Sequence, residues 1–117
     1  KNVDFDERIR INTNGLGNLI NKRDITVEMK GIINSLNISL NTLDPAQWVS
    51  IMRPFKEYAN EGFESVLDFI KKSRDNVEEV VITALELKEV DIKLVSDFAS
   101  KMGLKFRARP LLEEEND

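Results

Sequence analysis

The chain contains no cysteine and no histidine among its 117 residues. The first absence removes disulfides, thiolate nucleophiles and cysteine-ligated zinc; the second removes the commonest general base and the commonest metal ligand. Catalysis would have to rest on carboxylates, lysine, serine or a metal, and no spacing in the chain assembles such a group, so an enzyme is not expected. No cofactor is expected either. Apolar runs long enough to span a bilayer, roughly 18 to 20 residues, are also missing, as is an N-terminal basic stretch leading into an apolar one. The expectation is a soluble chain without a membrane anchor, placed in the cytoplasm, although a lack of cysteine fits secretion equally well.

What is present is ordinary for a folded domain: 41% hydrophobic and 32% charged residues. The length suits one domain able to bury a core unaided. Seventeen basic and 21 acidic residues leave a net charge of −4, and Glu113, Glu114, Glu115 and Asp117 account for all of it. The expected organisation is a neutral domain over residues 1–110 followed by an acidic flexible tail, 111–117.

Alternation and capping residues suggest the elements. "RIRIN" (8–12) reads as a half-buried strand with Ile9 and Ile11 inward, and "NTNGLGN" as the loop that ends it. "DITVEMKG" (24–31) and "LNISLN" (36–41) each alternate and read as two further strands, possible partners in a hairpin; one helix carrying Ile25, Met29, Ile32, Ile33 and Leu36 is the competing reading. Asp44, Pro45 and Gln47 form a capped helix start, with Trp48, Met52, Phe55 and Ala59 as its apolar stripe and Pro54 as a kink or break. A second helix begins near Gly62 and carries Phe63, Val66, Leu67 and Ile70. "EEVVITALEL" (78–87) reads as a buried strand, Asp91 caps a helix that ends at Gly103, and "LKFRARP" (104–110) closes the series as a strand. The fold class expected from this order is α+β: a small, mostly antiparallel sheet of about five strands with helices on one face, ending in a strand-helix-strand unit.

Four constellations bear on function. Lys105, Arg107 and Arg109 form a basic row on the last strand; if the first strand shares its sheet face, Arg8 and Arg10 join them in a surface suited to phosphates. Against nucleic acid stands the absence of aromatic residues from that side, since Phe106 points the other way. Charged outward residues also keep edge strands from sticking to one another, and the acidic tail is a candidate to fold back on the row. Gly15 and Gly17 resemble a phosphate loop only in two positions, and a turn explains them. Asp4, Asp6 and Glu7 form a weak hard-cation candidate. Glu57, Glu61, Glu64 and Asp68 would form an acidic stripe only if the middle helices were continuous. Finally, Trp48, Met52, Phe55 and Tyr58 cluster where helix surfaces form protein interfaces, with Trp48 and Tyr58 expected to be partly exposed. The function expected is therefore a non-enzymatic protein-protein interaction or regulatory module, such as an inhibitor or immunity-type protein. It would bind a protein partner, or itself as a homo-oligomer, through its middle helices or an open sheet edge. The alternative is a nucleic-acid-associated accessory protein working through Arg8, Arg10, Lys105, Arg107 and Arg109.

Overall fold

The structure, a computed structural model, describes residues 9–110. In chain order it runs β1 (Arg10–Thr13), α1 (Gly17–Asn21), α2 (Thr26–Met29), β2 (Ser35–Ser39), α3 (Pro45–Met52), a 3-10 turn (Lys56–Tyr58), α4 (Gly62–Asn76), β3 (Glu79–Leu85), α5 (Ile92–Lys101) and β4 (Lys105–Arg109). The four strands form one sheet in the order β1-β2-β3-β4, and every neighbouring pair is parallel.

This corrects the expected fold: the sheet is neither antiparallel nor five-stranded among the described residues. The reason lies between β1 and β2. Parallel neighbours need a crossover of a dozen residues or more rather than a tight turn, and residues 14–34 supply it with α1 and α2. "DITVEMKG" is thus no strand. Ile25 and Met29, four residues apart, pack against the core, while Thr26 is fully buried and Gly31 turns the chain with φ of 79°. "LNISLN" does form a strand, but it pairs with β1 and β3 instead of closing a hairpin.

The better-signalled elements stand as expected. The Asp44 carboxylate accepts the Gln47 N–H at 3.1 Å and Pro45 occupies the first turn of α3, which ends at Arg53 in left-handed backbone just before Pro54. α5 starts on Asp91, whose side chain accepts the Lys93 N–H at 3.1 Å, and ends at Gly103 with φ of 76°. β3 is buried from Val80 to Ala84, as a central parallel strand should be.

Connections between parallel neighbours are right-handed in nearly all proteins, so a strand order that follows chain order sends each crossover over the same face. The burial pattern agrees. Leu36, Ile38 and Leu40 of β2 and its exit, with Val80, Ile82 and Ala84 of β3, meet Trp48, Phe63, Val66, Phe69, Ile70, Val95 and Ala99 in one core. Ile11 and Phe106 extend that layer to the edge strands. Alternate positions of the same strands point away from the helices. Among the described residues no helix is long and apolar enough to cross a membrane.

Candidate interaction surface

The helix-free face of the sheet can be read row by row from the strand register. Arg10, Ser35 and Glu79 form the first row, and Asn12, Asn37, Val81 and Lys105 the second. Ser39, Thr83 and Arg107 form the third, followed by Leu85 beside Arg109. Its middle is a network of short polar side chains. Asn37 Nδ2 donates to Asn12 Oδ1 at 2.8 Å, Ser35 Oγ donates to Glu79 Oε1 at 2.7 Å, and the Thr83 hydroxyl lies 3.4 Å from Ser39 Oγ. Val81 is buried at the centre of the face yet stands outside the hydrophobic core cluster.

Among the described residues the charge on this face is one-sided: four cationic side chains, Arg10, Lys105, Arg107 and Arg109, against the single carboxylate of Glu79. Lys105 pairs with Glu79 across the strands, a half-exposed contact that contributes little to stability. Arg10, Arg107 and Arg109 make no side-chain hydrogen bond or ion pair among the described residues. The first and last strands do share the face, as the row of arginines required. They lie at opposite edges, however, about 14 Å apart at a strand spacing near 4.8 Å. Arg8 falls outside the described residues, as do Asp4, Asp6 and Glu7.

The aromatic candidates separate. Trp48 is fully buried, edge-on to Phe63 with ring centroids 6.2 Å apart, so the expected partial exposure is wrong for this residue. α3 has already ended at Met52, before Pro54. The short helix lays its indole wholly beneath α4, where Gly62 leaves room for the ring. Met52 is half-buried, its sulfur 3.1 Å from Asn41 Nδ2. Only beyond the break does the cluster reach the surface. Phe55 is 75% exposed and lies beside the half-buried Tyr58 at 6.5 Å between ring centroids.

The glycine pair and the acidic stripe have structural explanations. A Cβ on Gly15 would come within 2.9 Å of Val66 Cγ1, and one on Gly17 within 2.6 Å of Ile25 Cδ1, while the intervening Leu16 is buried. These glycines let the loop pack closely. Glu57 sits in the 3-10 turn, Glu61 precedes α4 and Asp68 pairs with Lys72, so no continuous acidic face forms.

A different feature was not read from the sequence. Open parallel sheets usually take ligands beyond the carboxyl ends of their strands, and here a depression at that end is lined by Thr42, Asp44, Gln47, Glu89, Asp91 and Leu94. Several of its polar groups already serve the fold. Asp44 and Asp91 cap the two helix starts that face it, and Gln47 Nε2 donates to the Glu89 carbonyl at 2.7 Å. Among the described residues no group of three acidic side chains is placed to hold a metal ion. The polar rows of Asn12, Asn37, Ser39 and Thr83 were likewise missed as a single surface. Their only signal was the amide and hydroxyl alternation of "LNISLN", which says nothing of its neighbours. No family model matches the chain, and no curated protein or solved structure matches it either.

Proposed function

We propose that the chain is a non-enzymatic protein-interaction module that receives an anionic segment of a protein partner on the cationic β4 side of its helix-free sheet face. The observation that carries this reading is the pair Arg107 and Arg109, exposed and unpaired on a strand at the sheet edge. Parallel sheets are nearly always covered on both faces, and a polar, predominantly cationic face suits a polar partner better than an apolar helix. Charged groups of this kind set specificity and association rate more than raw affinity. The absence of histidine and cysteine from the whole chain supports a binding role over catalysis. Phe55 and Tyr58, on the connection between α3 and α4, offer a second exposed contact of the kind that anchors protein interfaces.

A nucleic-acid reading draws on the same arginines. It is weaker because among the described residues the face holds no aromatic side chain for base stacking, its apolar members being Val81 and Leu85. Fluorescence anisotropy with a labelled glutamate-rich peptide, beside single-stranded and duplex oligonucleotides, separates the two at low and moderate salt. The expected result is peptide binding that weakens by about tenfold or more in Arg107→Glu/Arg109→Glu. Tighter binding of oligonucleotides with a steep salt dependence would replace the protein partner with nucleic acid. No binding of either would sink the surface as a docking site.

A further inference from the structure

The cationic row lies on an edge strand, because β3 is the only described strand beside β4. The Arg109 carbonyl accepts the Glu86 N–H at 2.9 Å, so the peptide groups of Lys105, Arg107 and Arg109 turn toward β3. Strand alternation then turns the N–H and C=O groups of Phe106 and Ala108 to the outer edge. Among the described residues nothing meets them there.

Two rows of side chains flank these outward peptide groups. On the helix-free side stand Lys105, Arg107 and Arg109, all exposed, and both arginines are unpaired among the described residues. On the helix side stand Leu104, Phe106 and Ala108, which stay half-buried although Leu104 and Phe106 pack against the core. The opposite edge offers less: on the helix-free face β1 carries Arg10 and Asn12, a single cation.

An added strand running antiparallel would make its hydrogen-bonded pairs with Phe106 and Ala108, whose groups point outward. Lys105, Arg107 and Arg109 then hold the non-hydrogen-bonded positions, where opposed Cα atoms approach to about 4.5 Å rather than about 5.5 Å and side chains lie closest. Directly opposed residues share a face. Partner residues opposite the arginines therefore meet guanidinium groups, and the residues between them lie on the helix side beside Phe106 and Ala108. Acids at the first positions and apolar residues at the second satisfy both rows. A second copy of β4 does not qualify, since it would set cation against cation.

Resting on the docking reading above, we infer that the partner segment binds as an added antiparallel strand on the outer edge of β4, with acidic residues opposite Arg107 and Arg109 and apolar residues opposite Phe106 and Ala108. In strand addition, main-chain hydrogen bonds give affinity and alternate side chains give specificity. Pro110 bounds the site, because it has no N–H to carry the outward ladder beyond Ala108.

The test uses the full chain and labelled peptides, followed by fluorescence anisotropy. A peptide in which glutamate and valine alternate should bind about tenfold or more tightly than one of equal composition with the two residue types in separate blocks. N-methylation of its valines removes the N–H groups that reach β4 and should weaken binding by about tenfold or more. N-methylation of its glutamates, whose N–H groups point away, should change binding by less than about threefold. Amide hydrogen exchange at Phe106 and Ala108 should slow about tenfold in the complex. Equal losses from the two methylations, with no slowing at Phe106 and Ala108, would overturn the inference. The blocked peptide keeps the two readings apart. If both peptides bind equally, lose affinity in Arg107→Glu/Arg109→Glu and leave the two amides unprotected, docking on the cationic face stands and strand addition is removed. If neither peptide binds, docking falls and strand addition falls with it.

Discussion

Gly62 opens α4, where alanine would ordinarily be the better helix former by about 1 kcal/mol. Its missing Cβ is the space in which the Trp48 ring sits, at 2.5 Å from where that carbon would be. Gly62→Ala is therefore expected to destabilise by about 1–3 kcal/mol in urea unfolding, against the propensity trend. Ser73 gives the opposite case: its hydroxyl is buried in α4 without a hydrogen-bond partner. Ser73→Ala removes that unsatisfied group and improves helix propensity, for a gain of about 1 kcal/mol by the same measurement. Asp24 adds a pH dependence. Burial pushes its carboxyl up, but hydrogen bonds from the Thr26 hydroxyl at 2.6 Å, from Asn18 Nδ2 at 2.9 Å and from the Thr26 N–H outweigh it, with Lys72 adding attraction, and hold it below the ordinary 3.8. A carboxyl that binds its proton less readily folded than unfolded contributes fully above its ordinary value, and loses that contribution as pH falls through the lowered one. The stability gap between wild type and Asp24→Asn should thus be constant at neutral pH and shrink below 3.8; a gap that widened in acid would contradict this assignment.

At the scale of elements, the capped helices are where sequence and structure agree best, because a cap is a local chemical event. Asp44→Ala and Asp91→Ala are each expected to cost about 1 kcal/mol, read as a shift in the urea midpoint. Strand positions at 36–41, 78–87 and 104–110 were legible for a similar reason: alternation, or a short apolar run bounded by turn formers, is written within the segment. Strand direction was not. A period of two is the same in a hairpin and in a crossover, so "LNISLN" looked equally at home beside an antiparallel neighbour. Residues 24–31 were misread because Ile25 and Met29, four residues apart, fit both periods, while Val27 completes an alternation although it is exposed in the structure, and the requirement for a crossover, which decides for helix, is not local. The burial of Trp48 had the same origin. Its place in an apolar stripe was readable, but the early end of α3 and the gap at Gly62 belong to the packing of two helices.

Over the described residues as a whole, the helices cover one face of the sheet, and the proposed docking surface is the β4 side of the other. The two arginines of β4 are exposed and unpaired among the described residues, so Arg107→Glu/Arg109→Glu should unfold within about 0.5 kcal/mol of wild type. A loss of peptide binding in that variant would then reflect the surface and not the fold. The same row guards the edge. Two β4 strands paired antiparallel would set cations against cations, which is unfavourable. Lys105→Thr/Arg107→Thr/Arg109→Thr removes that repulsion, and sedimentation velocity should detect concentration-dependent association absent from wild type.

The strand order has a further consequence, for the time at which each part can form. Because the sheet runs β1-β2-β3-β4 in the order of the chain, no strand of the described sheet has to be inserted between two that came earlier. During synthesis each strand emerges to find its only earlier neighbour already in place, together with the crossover that covers it. Nascent chains fold from the N-terminus as they are made, and this topology lets assembly keep pace with the ribosome, leaving β4 as the last strand of the described sheet to be added and its outer edge as the last surface to meet solvent.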